Sequence, residues 1–420
     1  MIEQTTLSNN LRVITNKLPS FKTTAVGAFV NVGSRNETID NNGIAHFQEH
    51  MIFKGSNNRT AYEISQQVEV LGSHINAYTS TEMTAYYANG LTENVEIAVD
   101  IIGDALTNSI HAEEDIKLES GVILQEISRY EDNPSSTMHS LFMDTAYPNQ
   151  PVGRKILGTK EFVSNAKKED FKKFVNENYS AETMIVFAAG GAEHSTIVNA
   201  VDKAFNMIPK TTIRPALVPA TYVGGLGIDA SKSFEQVSVG IGFKTVPIND
   251  PDMYIYMILA NAFGGGMSSP LFTEVREKRG LVYSTSAYSD VEIDYGHFAI
   301  FGGMTPNNLK EFIDVSCSEL AKMSNTINEL DMIRAKNSVY VSLAKMEEDT
   351  EHMLSYMANS VFNKGRVRGF EEIRSDIEKI SMDDLKDAAA KLIHSKPTIS
   401  LVGPVPDADY EYFVKRALSA

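Results

Sequence analysis

An internal repeat constrains the fold of this 420-residue chain more than any other feature of the sequence. Three short segments of the first half recur in the second half at one offset of 213 residues (239 minus 26, for example). The matched pairs are 26–30 with 239–243, 90–92 with 303–305, and Gly190 with Gly403. Self-similarity at a fixed offset indicates a duplicated structural unit.

Each half mixes strand-like runs with segments of helical periodicity. The clearest segments are strands at 11–15 and 25–32, a strand pair within 75–87, and helices at 58–72 and 113–130. We therefore predict an α+β fold with two homologous domains, each an antiparallel sheet packed against helices. The Pro- and Gly-rich stretch 209–221 predicts a linker between an N-terminal domain, 1–208, and a C-terminal domain, 222–420.

The sequence H-x-x-E-H, from His46 to His50, carries the clearest chemical signal. In a helix the two histidines lie four residues apart on one face, at a spacing that lets both imidazoles bind one zinc ion. Glu49 can reach the same space, where it would take a proton from a water on the metal. This order of residues is typical of inverzincin metallopeptidases. The alternative is an ordinary polar helix face, but the flanking residues are apolar, and buried His and Glu need partners or a metal.

The repeat tests whether the second half carries the same site. Adding 213 to His46, Glu49 and His50 gives Leu259, Ala262 and Phe263, none of which binds a metal or accepts a proton. We therefore predict one metal site per chain, in the first domain, and a plain core helix at the matching place in the second.

A catalytic zinc needs a third protein ligand besides the two histidines. The helix predicted at 113–130 offers Glu119 and Glu126, seven residues apart and so on one face. Glu126 lies among apolar residues, which suggests that it points into an enclosed space, and Glu119 could orient a ligand. Spacing alone does not choose between them, because Glu113, Glu114 and Glu131 are also available, and a solvated acidic helix remains an alternative.

Composition limits the partners and the compartment. A net charge of −16 argues against nucleic acid and favours basic peptides if the acidic residues line a cleft. The single cysteine, Cys317, fits a reducing compartment and is interpreted as a core residue. Since no apolar run is long enough to span a membrane and the N-terminus does not resemble a signal or transit peptide, we expect no membrane association and a cytoplasmic protein.

The chain resembles the pitrilysin (inverzincin) peptidases, and among them the processing-peptidase branch that includes the catalytic subunit of mitochondrial processing peptidase and its bacterial relatives. The segments that carry the resemblance are 43–47, 53–55, 76–79, 151–153, 264–269 and 276–283. The resemblance implies that the third zinc ligand is Glu126, which lies 76 residues after His50, and that Glu119 supports a ligand. It also implies a bacterial source for a chain without a transit peptide.

Further site residues follow from the same resemblance. Arg276 and Tyr283 match the family's Arg/Tyr pair, which is implied to donate to the substrate carbonyl as it becomes tetrahedral. Gly264, Gly265 and Gly266 would let a peptide backbone approach closely. Asn76 and Ala77 would present a strand edge to an extended peptide, with plain sheet residues as the alternative. Two positions depart from the family pattern: Gln48 replaces a usual apolar residue, and Pro270 stands where Arg is common.

These features together predict a zinc metalloendopeptidase with one zinc per chain, which cleaves extended or unfolded peptides inside a chamber. Relatives of this size are dimers, and because this chain carries both the metal motif and the Arg/Tyr pair, a homodimer would suffice. Two alternatives remain at this stage: a catalytic subunit that needs a different partner chain, and a non-catalytic assembly subunit of the same fold.

Overall fold

The computed structural model describes residues 1–212, 216–231, 233–406, 412, 413 and 415. Its strands are β1 Ile2–Thr6, β2 Arg12–Lys17, β3 Thr23–Val30, β4 His74–Thr79, β5 Thr84–Leu91, β6 Met184–Gly190, β7 Gly225–Asp229, β8 Val237–Lys244, β9 Thr285–Val291, β10 Gly296–Met304 and β11 Thr398–Val402. Its helices are α1 Ile44–Met51, α2 Ala61–Val70, α3 Val95–Asn108, α4 Glu113–Glu131, α5 Pro134–Ala146, α6 Lys160–Asn165, α7 Lys168–Asn178, α8 His194–Ala204, α9 Met253–Gly264, α10 Pro270–Phe272, α11 Leu309–Thr326, α12 Glu329–Glu347, α13 Thr350–Lys364, α14 Phe370–Glu378 and α15 Met382–Ile393.

The strands form two separate sheets with matching order. The first sheet runs β1-β2-β6-β3-β5-β4 and the second runs β7-β11-β8-β10-β9. In both sheets one parallel pair (β2 with β6, β7 with β11) adjoins a set of antiparallel pairs. Apart from β1, each strand of the first sheet has its counterpart at the same place in the second. The predicted α+β fold and its duplication are therefore confirmed.

Two layers of helices enclose the first sheet. One face carries a core to which α1 and α7 contribute Phe47 and Phe171, whose rings meet edge to face at 4.9 Å. The other face is covered by α13, whose Met353 and Met357 pack with Phe187 of β6. This arrangement leaves β4 at one edge of the sheet, next to α1.

The second sheet is packed in the same manner. Helix α5 lies on one face, where Phe142 is fully buried. A Cβ atom at Gly242 would lie 2.3 Å from the Phe142 ring, so β8 needs a glycine at that position. On the other face α9 carries Leu259, Ala262 and Phe263, all with no solvent exposure. The sequence prediction that this helix is plain core is confirmed.

The two compact units are not consecutive stretches of the chain. One unit contains residues 1–128, 154–218 and 345–367, and the other contains 129–153, 219–344 and 368–420. Helices α5 and α13 occupy equivalent places in the repeat, and each is grouped with the sheet of the opposite half of the sequence. The domains predicted from the sequence, 1–208 and 222–420, are consecutive stretches and do not include this exchange of α5 and α13.

The stretch predicted as a linker contains no helix or strand in its described residues, 209–212 and 216–221. One of the places where the chain passes between the two units falls inside it, after Val218. Residues 213–215 of the predicted linker lie outside the described residues. Within the described parts of the chain, no helix is both long enough and apolar enough to cross a membrane.

Candidate metal centre

The helix that carries H-x-x-E-H is capped by a residue from outside it. Gly43, at its N-terminus, has a left-handed backbone (φ 110°) and no side chain with which to cap. The buried Glu37 carboxylate replaces that cap: Oε2 accepts from the Gly43 N–H and Oε1 from the Ala45 N–H, both at 2.8 Å. Asn42 Nδ2 donates to the same Oε2 at 2.6 Å. Burial raises the pKa of Glu37 to about 8, although the hydrogen bonds from Asn42, Ala45 and Gly43 act in the opposite direction. Because the N–H groups at a helix start need an acceptor, Glu37 fixes where α1 begins.

Three ligand atoms from α1 and α4 converge on one point. Glu126 Oε2 lies 3.6 Å from His46 Nε2 and 3.6 Å from His50 Nε2. Tetrahedral zinc, with bonds of about 2.0–2.2 Å, holds its ligand atoms roughly 3.3–3.5 Å apart. His46, His50 and Glu126 therefore fit a zinc ion, and no other described group of three His, Cys, Asp or Glu residues converges in this way.

The protonation of the histidines also suits a metal. Burial lowers the pKa of His46 to about 3, with a smaller contribution from His50, so its imidazole is neutral, as a ligand must be. His50 Nδ1 donates to Glu119 Oε2 at 2.9 Å, which leaves the lone pair on Nε2 for the metal. The centroids of the His46 and His50 rings lie 4.7 Å apart.

Glu119 occupies the supporting place that the resemblance implied. Its Oε1 is 2.6 Å from Lys54 Nζ, so one carboxylate joins a lysine to His50. Burial favours a higher pKa for Glu119, but the hydrogen bonds from Lys54 and His50 outweigh it and lower the pKa. Glu119 is the more enclosed of the two glutamates, since the Glu126 side chain is 26% exposed against 9% for Glu119. Glu126 is half-buried, and its apolar neighbours Ile123 and Ile127 belong to the core of the first sheet.

Glu49 lies beside the ligands without belonging to them. Its Oε2 accepts a hydrogen bond from Thr79 Oγ1, the last residue of β4, at 2.7 Å. Burial raises the pKa of Glu49, while Thr79 and His50 act in the opposite direction. A carboxylate at this place can exchange a proton with a molecule held at the three ligand atoms.

Gln48, the departure from the family pattern, has a specific partner. Its side chain is buried, and Oε1 is 2.8 Å from Nε2 of His111, the residue two positions before α4. Burial lowers the pKa of His111 to about 4, and Lys168 and Lys172 add to this effect. The neutral imidazole therefore donates to Gln48, and this bond connects α1 to the segment immediately before α4.

We expect Gln48 and His111 to be energetically coupled. Gln48→Leu leaves a buried imidazole N–H without an acceptor and should reduce the free energy of unfolding by about 1–3 kcal/mol. Adding His111→Leu removes the stranded donor, so the double variant should recover part of the loss. Urea unfolding of the wild type, both single variants and the double variant measures the coupling. Strict additivity of the two losses would contradict it.

Asn76 and Ala77 lie on β4, at the open edge of the first sheet. β4 pairs with β5 on its inner side, with Asn76 opposite Tyr87 and Ala77 opposite Tyr86. The Ala77 N–H bonds to Asn76 Oδ1 at 2.9 Å, so it is not used in the ladder with β5. Such an edge can accept a further strand.

Arg276 and Tyr283 belong to the second compact unit and form a contact with each other. The Arg276 guanidinium lies 5.4 Å from the Tyr283 ring centre and 4.7 Å from that of Phe272. Tyr283 is 85% exposed. Helix α10, which Ser269 caps, continues as a π-helical turn, Thr273–Glu277, that contains Arg276.

Close packing requires glycine at two of the three positions predicted to bind substrate, Gly264 and Gly265. A Cβ atom at Gly264 would lie 2.6 Å from the backbone nitrogen of Ala287, and one at Gly265 would lie 2.6 Å from the Asn261 carbonyl oxygen. At Gly266 the nearest atom is the end of the Arg334 side chain, at 3.4 Å. Their role in substrate binding remains a prediction, and it is best founded for Gly266.

Sequence reasoning missed four residues that support this centre: Glu37, Lys54, Thr79 and His111. Lys54, Thr79 and His111 contact residues that are distant in sequence, so none of them forms a local pattern with its partner. Glu37 lies close in sequence to the N–H groups that it accepts from, but no standard capping motif has this spacing. The polar residue at the usually apolar Gln48 position was the one available signal, since a buried amide requires a partner.

Comparison with known proteins identifies the family of this chain. Residues 12–160 match the family model described as insulinase (peptidase family M16), and residues 165–339 match the model described as peptidase M16 inactive domain. An uncharacterized zinc protease of Rickettsia felis is 36% identical over 399 residues, which cover 95% of this chain and 96% of that protein. The uncharacterized zinc protease YmxG of Bacillus subtilis is 30% identical, with 96% and 98% covered.

Solved structures share the fold. A protease from Helicobacter pylori superposes with a TM-score of 0.88 at 22% identity, covering 96% of this chain and 100% of that one. A chain of complex III2 from Candida albicans superposes with a TM-score of 0.87 at 22% identity, covering 99% and 100%. The duplicated fold, the sequence relatives and the two family models agree, and this chain belongs to peptidase family M16, whose bacterial members include proteins named zinc proteases.

Proposed function

We propose that this protein is a zinc-dependent endopeptidase whose single zinc ion is held by His46, His50 and Glu126. The observation that carries the proposal is the convergence of these three ligand atoms beside Glu49, a carboxylate that is not itself a ligand. Zinc bound there would supply Lewis acidity, which favours attack of water on a peptide carbonyl.

The chain's own residues then have distinct tasks. Glu49 acts as the general base, taking a proton from the attacking water and passing it to the leaving amine. Glu119 holds the His50 ring in the tautomer that a ligand needs, and Lys54 keeps the Glu119 carboxylate ionised. Glu37 holds the start of the helix that carries three of these side chains.

We infer that the substrate is an extended peptide that adds to β4 as a further strand. The open edge of the first sheet supports this, because backbone bonding to an edge binds a peptide independently of its sequence. Asn76 would release the Ala77 N–H to the peptide. An extended segment is required, so unfolded peptides are expected to be better substrates than folded proteins.

The second unit would contribute charge stabilisation. Arg276 and Tyr283 would donate hydrogen bonds to the substrate carbonyl oxygen as it becomes negative. Gly264, Gly265 and Gly266 would allow the peptide backbone to approach closely. We further propose a homodimer that encloses a chamber, acting on basic peptides in a bacterial cytoplasm. The bacterial relatives support the bacterial source, and the chain's net charge of −16 supports the preference for basic peptides.

Two alternatives make different predictions. A catalytic subunit that depends on another chain would bind zinc when purified on its own, but it would cleave no peptide until that partner is added. A non-catalytic assembly subunit is favoured by the fold likeness to a chain of complex III2. That alternative does not explain why a complete ligand set and Glu49 are present in this chain.

The proposed activity is tested with the purified full-length protein and an internally quenched basic peptide. We expect hydrolysis that is abolished by a strong chelator and restored by zinc after the chelator is removed. Magnesium is the control ion, because it prefers oxygen ligands and should not restore activity. Hydrolysis that persists after complete removal of zinc would contradict the proposal, whereas zinc binding without any hydrolysis would favour the partner-dependent alternative.

A further inference from the structure

A hydrogen bond connects the open edge strand of the first sheet to the carboxylate of Glu49. Thr79, the last residue of β4, places Oγ1 2.7 Å from Glu49 Oε2. An ionised carboxylate can only accept, so the threonine hydroxyl is the donor. This bond occupies one carboxylate oxygen and leaves Oε1 available to a water molecule.

Thr79 is itself held firmly. It pairs with the buried Thr84 of β5, whose hydroxyl donates to the Val32 carbonyl at 2.8 Å. The hairpin that follows is closed by a bond from the Ser80 N–H to the Met83 carbonyl at 2.7 Å. The Ser34 N–H donates to the Ser80 carbonyl at 3.1 Å, which ties the hairpin to the loop before α1. The donor therefore has little freedom to follow a moving carboxylate.

The position of Thr79 in the strand also places it beside the peptide site. Ile75, Ala77 and Thr79 lie on the same face of β4, because side chains alternate along a strand. Ile75 and Ala77 pack on the core that contains α1, so this face is directed towards the helix of the metal ligands. Thr79 is where that face reaches Glu49.

We propose that Thr79 is a positioning residue, which holds the Glu49 carboxylate towards the metal ligands and couples it to the strand that receives the peptide. The inference rests on the proposed peptidase function and adds a role to a residue outside the metal ligands. In the absence of the hydroxyl, Glu49 has no described side chain that fixes its rotamer. Misplacement of a catalytic group by about 1 Å costs on the order of 10²-fold in rate.

A purely structural role for Thr79 makes a different prediction. Threonine and valine have the same shape and both favour strands, so a residue needed only for the sheet would be replaced by valine without loss. Serine keeps the hydroxyl but is a poorer strand residue. The two substitutions therefore separate the hydrogen bond from the packing.

The test compares wild type, Thr79→Val and Thr79→Ser, with Thr81→Val in the same hairpin as the control. We expect Thr79→Val to lower kcat by about 10- to 100-fold while KM changes less than about twofold. Thr79→Ser should stay within about threefold of wild type, and Thr81→Val should be unaffected. Zinc content and circular dichroism should match wild type in every variant.

Several results would overturn the inference. A fully active Thr79→Val, an effect on KM rather than on kcat, or a serine variant that is folded but no more active than the valine variant would each do so. If Thr79→Val fails to fold, the serine variant decides: a kcat within about threefold of wild type supports the inference, and a larger loss in a folded protein overturns it. A wild-type protein without hydrolysis is a separate result, because it removes the proposed function itself and this role with it.

Discussion

Glu49→Gln is expected to abolish most peptide hydrolysis while zinc remains bound. Glutamine has the shape of glutamate and can still accept a hydrogen bond from Thr79, but its amide cannot take a proton from water. Loss of a general base lowers kcat by about 10²–10⁴-fold. Steady-state hydrolysis of the quenched peptide measures this change, and metal analysis of the same preparation measures zinc.

A matched control separates the base from a simple loss of negative charge. Glu69→Gln removes one charge at an exposed position on α2 and should leave kcat unchanged. If Glu49→Gln were as active as wild type, another group would have to accept the proton, and the assignment of Glu49 would be wrong. If Glu49→Gln lost zinc, Glu49 would be acting as a ligand.

Glu37→Ala is expected to have the largest effect on folding. It strands the buried N–H groups of Gly43 and Ala45 and one N–H of the Asn42 amide, all of which donate to the Glu37 carboxylate. Buried donors without acceptors cost about 1–3 kcal/mol each before relaxation, so we expect a net loss of about 2–4 kcal/mol in the free energy of unfolding. Urea unfolding checks this value, and zinc affinity should fall together with it because α1 loses its fixed start.

Glu63, in the first turn of α2, offers a control for Glu37. Glu63 caps α2 by accepting from the Thr60 N–H at 2.8 Å, but at an exposed site. Glu63→Ala should therefore cost only about 0.5–1 kcal/mol. Equal losses at the two positions would show that the burial of the Glu37 carboxylate is unimportant. Glu37→Gln should be intermediate, since one of its two end atoms becomes a donor facing a backbone N–H.

Local patterns in the sequence predicted the parts of the fold and site that depend on short-range order. The helix of His46 and His50, the strand pair around Asn76 and the core position of Phe263 all follow from periodicity and the repeat. Periodicity shows which face of a helix is apolar, but not which sheet receives that face. This is why the exchange of α5 and α13 between the two units could not be predicted.

The choice between Glu119 and Glu126 illustrates the same limit. Both lie on one face of α4, and spacing left them equivalent. The structure separates them through residues that are distant in sequence, because Lys54 and His50 Nδ1 engage Glu119 and leave Glu126 facing both Nε2 atoms. Long-range hydrogen bonds of this kind depend on the packing of whole elements.

The most direct test of the metal centre is the zinc content of three purified proteins: wild type, Glu49→Gln and Glu126→Gln. Zinc per chain is measured after dialysis against a weak chelator. We predict one zinc ion per chain in wild type and in Glu49→Gln, and a loss of about 10-fold or more in zinc affinity for Glu126→Gln, because only Glu126 of these two is a ligand. Zinc retained equally by all three proteins, or absent from wild type, would contradict the assignment of His46, His50 and Glu126 as the metal site.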